Sequence, residues 1–327
     1  MENIIGIDIG GTKCAVILGR NKVDSGSGLA DLSIIDKFRY KTEKGPDYML
    51  KTIENGIEEI LAKNSLRRES ITKIGISCGG PLDSKKGAIL SPPNLPGWDD
   101  IRIVEIFEEK LGIKTSLEND ANACALAEWK YGAAKGFNNV IFLTCGTGFG
   151  AGLILDGRLY GGTNGMAGEI GHVRLECFGP VGYGKRGSVE GFCSGGGIAQ
   201  LAKTMVLEKL QMGETVSFCS SMEQLDSIDA KLVGDAAEAG DELARKIYGG
   251  CGEYLGRTLS ILIDVLNPEI IVIGSIYARS TGLLRDPMLE AVRRECIRSS
   301  REACRIVPAE LGEKIGDYAA LAIAAYM

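Results

Sequence analysis

The sequence predicts an α/β protein of two domains, and three observations carry that expectation. Residues 3–18, NIIGIDIGGTKCAVIL, are a β-branched run, a Gly-Gly turn and a second apolar run. Residues 139–155, NVIFLTCGTGFGAGLIL, repeat the plan. Between them a stretch of helical period leads into a buried-strand pattern, so helices and strands alternate. The repetition implies a duplicated architecture in which each half opens on a glycine hairpin. At 327 residues the chain is long enough for two compact domains.

The first hairpin carries Asp8, Gly10, Gly11, Thr12 and Lys13 at its tip: an acid, two residues without a Cβ, a hydroxyl and a cation. Such a turn lets backbone N–H groups approach phosphate oxygens, and the acid can hold Mg²⁺ through water. Taken alone, the segment reads equally well as a plain hairpin turn, and it is not a Walker loop. Met49, Leu50, Ile53, Ile57, Ile60 and Leu61 then fall at helical spacing, and KIGIS at 73–77 reads as a buried strand. Residues 79–99 read as a loop, because Pro92, Pro93 and Pro96 exclude a regular helix or a central strand.

TSLEND at 115–120 reads as a strand running into a helix from Asp120 to Tyr131, with Asn119 or Asp120 at its first turn. Polar groups at the carboxyl end of a strand commonly face a ligand crevice. At the second hairpin, Thr144, Gly146, Thr147, Gly148 and Gly150 include a G-x-G-x-G pattern able to cradle the other side of the same phosphates. Residues 156–198 are rich in glycine with little periodicity and read as a large functional loop region. Leu243 to Ile263 mark a long helix ending before Asn267-Pro268. EIIVIG at 269–274 reads as a buried strand with a Gly/Ser turn behind it, and a last helix runs from about Asp317 to Met327.

Composition narrows the function. The 37 basic and 43 acidic residues leave a net charge of −6 without a Lys/Arg-rich block, which argues against nucleic acid as a partner. The apolar run near the N-terminus is short and broken by Asp8, so neither a signal peptide nor a membrane span is expected. Ten cysteines without a CxxC pair suit buried thiols in a reducing, cytoplasmic setting. The 45 glycines, about twice the ordinary share of roughly 7%, are clustered, which points to function in the turns.

The two hairpins together with Glu118-Asn119-Asp120-Ala121-Asn122 make a specific combination. The sequence resembles the ROK family of sugar kinases and repressors. DIGGTK, GGPLD at 79–83, PPNLPGW at 92–98, ENDANA at 118–123, TCGTGFGAGLILDGRLYGG at 144–162 and AGEIGH at 167–172 occur in the family's order. The resemblance implies a two-domain actin-like ATPase fold of the hexokinase/ribonuclease H-like kind, with an active-site cleft between domains that closes to exclude water. It divides the chain into a small domain, 1–117 plus 310–327, and a large one, 118–309. It also implies ATP and Mg²⁺, a small-molecule sugar and nucleotide as partners, no membrane, and a homodimer.

Residue by residue, Asp120 matches the family's catalytic base, which takes the proton of the attacking sugar hydroxyl. Asn94, Asn119, Glu169, His172 and Glu190 match sugar-binding positions, with the Gly80 backbone beside them. Gly10, Gly11, Thr12, Lys13, Thr144, Gly146, Thr147, Gly148 and Gly274 match nucleotide contacts, and Asp8 the acid that holds Mg²⁺ through water. Tyr277 follows as a residue that either stacks on adenine or packs. His172 is the sole histidine of the chain.

One departure stands out. Many members carry C-x-C-G-x-x-G-C-x-E, whose three cysteines join the histidine in a zinc site. Here Val181, Tyr183 and Ser188 replace them, so no zinc is expected and the loop is expected to hold by packing. The expected activity is transfer of the ATP γ-phosphate to a hexose, glucokinase-like. The alternatives are an N-acetylglucosamine or N-acetylmannosamine kinase and a non-catalytic sugar sensor. Family repressors place a helix-turn-helix domain before the first motif, and with the hairpin at residue 8 a repressor is not the expectation.

Overall fold

A computed structural model of the chain describes residues 1–23, 30–43 and 45–327. Its elements, in order, start with the strands β1 (Glu2–Ile9), β2 (Lys13–Val23) and β3 (Ala30–Lys41), the helix α1 (Gly45–Lys63) and the strand β4 (Ile71–Cys78). The short strands β5 (Leu82–Asp83) and β6 (Ala88–Ile89) precede α2 (Ile103–Leu111), β7 (Lys114–Asn119) and α3 (Asp120–Tyr131). Next come β8 (Val140–Cys145), β9 (Phe149–Leu155), β10 (Arg158–Leu159), β11 (Val181–Gly182) and β12 (Lys185–Arg186). The helices α4 (Val189–Cys193), α5 (Gly195–Gln211), α6 (Ala230–Glu238) and α7 (Glu242–Leu266) follow. The chain closes with β13 (Ile270–Ile273), α8 (Ile276–Arg279), α9 (Thr281–Glu295), α10 (Arg298–Ala303), β14 (Arg305–Pro308) and α11 (Ile315–Tyr326).

Two five-stranded sheets organise these elements. The first has the order β3-β2-β1-β4-β7, antiparallel from β3 to β1 and parallel from β1 to β7. The second has the order β10-β9-β8-β13-β14, with β13 parallel to both β8 and β14. The duplication legible in the glycine hairpins is therefore a duplication of sheets, each beginning at its hairpin.

By packing, the chain forms two compact units: Met1–Asn138 with Gly152–Ala167 and Glu310–Met327, and Asn139–Ala151 with Gly168–Ala309. These units differ from the division into 1–117 plus 310–327 and 118–309 in where α3 and its following turn, up to Asn138, and the segment Gly152–Ala167 fall. The helix packs against α11 and β7, which places it in the first unit by contact.

In the first unit, Ile5, Ile7, Val16, Ile53, Ile57 and Phe107 belong to a core on one face of the sheet. Each such side chain contributes roughly 1.5–3 kcal/mol on burial. The other face is floored by glycine. A Cβ on Gly6 would lie 3.0 Å from Ala320 Cβ, and one on Gly75 would overlap the Ala320 carbonyl. The alanine-rich α11 therefore lies close on the sheet, and Asp8, on the same face as Gly6, meets the first turn of that helix. A Cβ on Gly316 would be 3.4 Å from Asp8 Oδ2.

In the second unit α7 is capped by the Asp241 side chain and ends at Asn267, whose φ of 44° and ψ of 56° are left-handed, just before Pro268. The stretch 156–198 holds short strands and loops only as far as Ser188, where the short helix α4 begins, and a longer helix starts after Ser194. That longer helix is α5, with the Gly197 N–H donating to Ser194 Oγ at 3.1 Å. Three consecutive glycines hide this helix start in the sequence, and Gly197 is required because a Cβ would overlap the Gly191 carbonyl. Among the described residues no helix is long and apolar enough to cross a membrane.

Candidate active site

In the first unit the hairpin tip is a tight turn closed by Gly10 N–H donating to the Lys13 carbonyl at 3.0 Å. Thr42 buttresses it from β3's far end, with its Oγ1 donating to the Gly10 carbonyl at 2.6 Å and its N–H to the Thr12 carbonyl at 3.0 Å. Thr12 and Lys13 are exposed at the tip. Gly11 seats the proline-rich loop: a Cβ there would come within 2.5 Å of the Asn94 carbonyl oxygen and 2.8 Å of Asn94 Cβ. The close approach of the hairpin to Asn94 is thus possible only without a Cβ at position 11.

The turn after β4 gathers the remaining polar residues of this unit. A Cβ on Gly79 would lie 4.0 Å from both Asn94 Nδ2 and Asp120 Oδ2, and one on Gly80 would lie 3.4 Å from Asn119 Nδ2. Asn119 is the N-cap of α3, and its Oδ1 accepts from the Ala121 N–H at 2.9 Å. Asp120 Oδ1 accepts from the same N–H at 2.8 Å. Both are therefore fixed at the helix start: Asn119 caps, and Asp120 keeps its Oδ2 toward Gly79.

Glu118 ties this arrangement together. It is buried, and its Oε1 accepts from Ser84 Oγ at 3.0 Å, the Asn119 N–H at 2.8 Å and Asn122 Nδ2 at 3.0 Å. One carboxylate oxygen thereby joins the 79–91 loop, the strand end and the first turn of α3. In the sequence Glu118 stands within the 118–122 motif and carries no role of its own. The signal available was an acid placed at the buried end of a strand, where it must find donors.

Electrostatics set the two acids apart from surface carboxylates. Burial pushes the Asp8 carboxyl up to about 6, Asp317 adds to the rise, and Lys37 opposes it. Lys37 itself forms an ion pair with Asp317. Burial also raises the Asp120 carboxyl above the ordinary range, with the Ala121 N–H opposing. One side of Asp120 is open to solvent, while the protein packed around the rest desolvates it.

In the second unit the tip Gly146-Thr147-Gly148 is closed by Gly146 N–H donating to the Gly148 carbonyl at 3.0 Å. The start of α5 is fastened to it, with the Gly195 N–H donating to the Gly146 carbonyl at 2.8 Å. A Cβ on Gly146 would have Ser275 Oγ at 3.6 Å and Thr144 Oγ1 at 3.9 Å, so two hydroxyls flank an open glycine. Gly274 is buried behind them, its N–H donating to the Leu143 carbonyl at 2.9 Å. Ser275 adopts φ 56° and ψ −117°, a conformation natural to glycine, and nothing in its residue type announces this. Tyr277 is only 1% exposed and packs in the interior, which removes it from nucleotide contact.

The backbone of Phe149 organises the polar residues of this unit. Its N–H donates to Glu190 Oε2 at 3.0 Å, and its carbonyl lies where a Cβ on Gly171 would overlap it. Gly171 sits in the single 3-10 turn Ile170–His172, which places the exposed Glu169 and His172 beside the strand that holds Glu190. Gly148 completes the set, since a Cβ there would be 3.0 Å from Glu190 Oε2. Within each unit the residues expected from the sequence are brought together.

Comparison with known proteins fits this geometry. A family model described as ROK family matches residues 4–326. The chain belongs to the ROK family, and its two α/β units are those of the actin-like ATPase fold. It is 32% identical over 292 residues to the glucokinase of Thermotoga maritima, covering 88% of this chain and 86% of that protein. The solved structure of a ROK family glucokinase from Streptomyces griseus, in complex with glucose and AMPPNP, matches 99% of this chain and 100% of its own at 28% identity, with a TM-score of 0.74. A xylose repressor of Caldicellulosiruptor bescii is 29% identical over 275 residues, covering 84% of this chain and 65% of the repressor.

Proposed function

We propose that this protein is an ATP- and Mg²⁺-dependent sugar kinase that transfers the γ-phosphate to a hydroxyl of a hexose, with glucose the first candidate. The observation that carries the reading is Asp120: an acid of raised pKa, open on one side, with its Oδ2 facing the Gly79-Gly80 turn between Asn94 and Asn119. It acts as general base on the attacking hydroxyl, and a raised pKa strengthens a carboxylate for that task. Asn94, Asn119, Glu169, His172 and Glu190 bind the sugar ring with the Gly80 backbone. The glycine tips at 10–13 and 144–148 and Gly274 take the nucleotide. Its relatives of the glucokinase class support ATP as donor.

Asp8 suits a cation, since it lies beside a second carboxylate, Asp317, with Lys37 as the nearby counter-charge. Asp8 would hold Mg²⁺ through water, and the ion would supply neutralisation of phosphate charge. The chain's own contribution is orientation: Asn119 and Glu118 hold Asp120 at its helix start, and Thr42 holds the hairpin tip. The same reading takes the protein as a cytoplasmic homodimer that handles small molecules rather than nucleic acid, with no zinc in the loop before Glu190.

The test is coupled ADP release with Mg-ATP across glucose, mannose, fructose, allose, N-acetylglucosamine and N-acetylmannosamine, with Asp120→Asn as control. We expect glucose turnover reduced about 10²–10⁴-fold in the variant, the range general-base removal produces. Turnover confined to an N-acetylhexosamine would reassign the substrate. Silence on every sugar, with calorimetric sugar binding intact, would make the protein a non-catalytic sensor, the role to which its repressor relatives point.

A further inference from the structure

The loop that leads from His172 to Glu190 holds three positions, Val181, Tyr183 and Ser188, where the family's zinc ligands stand in other members. None of the three has a donor set suited to the metal. Val181 has an aliphatic side chain, and its peptide is clasped from both sides. On one side β11 pairs with β12, Val181 opposite Arg186. On the other, the Val181 N–H donates to Gln200 Oε1 at 3.0 Å, and Gln200 Nε2 donates to the Val181 carbonyl at 2.8 Å. Tyr183 occupies the hairpin turn at φ 43°, 73% exposed, with its ring edge-on to His172 at 6.2 Å and 76°. Lys185 Nζ donates to the His172 carbonyl at 2.8 Å.

Ser188 is the most informative of the three. It is fully buried, and its hydroxyl is used twice, donating to the Lys185 carbonyl at 3.1 Å and accepting from the Gly191 N–H at 3.1 Å. It is thereby the N-cap of α4, whose second residue is Glu190. A tetrahedral site of thiolate and imidazole cannot be assembled from an aliphatic side chain, an exposed phenol and a doubly committed hydroxyl. Cys193 offers no replacement, since it is buried with its thiol toward the Cys251 carbonyl at 3.8 Å.

We infer that this loop is held without metal by a hydrogen-bonded staple, Gln200 on Val181 and Ser188 on Lys185 and Gly191, and that Ser188 is a positioning residue for Glu190. The chain of contacts is short. Ser188 fixes the start of α4, α4 fixes Glu190, and Glu190 Oε2 meets the Phe149 N–H next to Gly148. The positioning part rests on the sugar-kinase reading above, whereas the metal-free staple does not.

The experiment uses the full-length protein. Zinc content by elemental analysis is combined with trypsin cleavage at Lys185 and Arg186, and with melting, each with and without EDTA. We expect substoichiometric zinc, with melting and cleavage rates unchanged by EDTA. Gln200→Leu and Ser188→Ala should each speed cleavage at those two sites, and added zinc should not protect them. Ser188→Ala should also weaken glucose binding in calorimetry about fivefold with ATP binding unchanged, and Ser188→Thr, which can still cap, should restore most of it. Stoichiometric zinc with EDTA-sensitive melting would overturn the staple, as would wild-type cleavage rates in both variants. Unchanged glucose binding in Ser188→Ala would overturn the positioning role. If the wild type binds no sugar, the kinase reading and the positioning role fail together, while the zinc and trypsin arms still decide the staple.

Discussion

The two glycine hairpins look alike in sequence and sit in different electrostatic settings. The first ends in Asp8 and is surrounded by charge: Asp317, Lys37, Asp120 and Arg39 all act on it. The second carries no acid of its own between Thr144 and Gly150. At Gly146 its neighbours are the hydroxyls of Thr144 and Ser275, and at Gly148 the neighbour is Glu190 Oε2, which accepts from the Phe149 N–H at 3.0 Å. Behind the turn lie the buried thiols of Cys145 and Cys193, held neutral because burial pushes their pKa up. Cys145 Sγ donates to the Cys193 carbonyl at 3.0 Å, so this thiol serves packing. Glycine spacing marks a turn that a phosphate can approach. What surrounds the turn separates a hairpin whose own acid is buried beside a second carboxylate from one whose nearby carboxylate comes from another element and is already held by a backbone N–H.

Substituting one glycine in each tip should break the symmetry most visibly. Gly146→Ala has ordinary space, its nearest neighbour being Ser275 Oγ at 3.6 Å, so the protein should fold normally while the KM for ATP rises about tenfold as the methyl blocks close approach of phosphate. Gly11→Ala has none, with Asn94 at 2.5 Å, and should lower stability by about 1–3 kcal/mol and disturb sugar binding through Asn94. Steady-state kinetics with both substrates and a chemical denaturation curve read the two effects. Equal stability losses in the two variants would erase the distinction.

A second prediction sharpens the electrostatic contrast. The folded protein holds the Asp8 proton up to about pH 6, whereas an unfolded aspartate releases it near 4. The folded state thus binds more protons over that window, and stability falls as pH rises through it. Asp8→Asn removes this loss. Its melting temperature should exceed that of the wild type by a few degrees at pH 7, with the gap closing toward pH 4, while activity is lost. A gap that widens on acidification would show that Asp8 is stabilised rather than strained by its site.

The smallest effect concerns Ser275. Its φ of 56° and ψ of −117° suit glycine, so Ser275→Gly should raise stability by about 1 kcal/mol. The same change removes a hydroxyl beside Gly146, and a modest rise in the KM for ATP is expected with it. A lower melting temperature would mean that hydrogen bonding by the serine outweighs the strain.

Much of this was legible in the residues because local patterns leave little choice. Ile4 to Ile9 can only be a strand of this kind, and Pro92, Pro93 and Pro96 forbid a helix around Asn94. The family's motifs then named Asp120, Asn94 and Glu190. Other features left no local trace. The α5 start was hidden by Gly195-Gly196-Gly197, whose low helix propensity is outweighed by the Ser194 cap and by close packing on Gly191. Tyr277 offered stacking or packing, and burial decided for packing.

By itself the sequence determined the strands, the glycine turns and the order of functional residues, because β-branched runs, prolines and glycines restrict the backbone wherever they occur. Only the tertiary structure decided what surrounds each functional group: Glu118 gathering Ser84, Asn119 and Asn122, Asp317 arriving beside Asp8 from the far end of the chain, and Ser188 turned from a ligand position into a cap. Those relations join residues distant along the chain or reverse a local expectation. They arise from close packing and from the need of every buried polar group for a partner, neither of which is written in any short stretch of sequence.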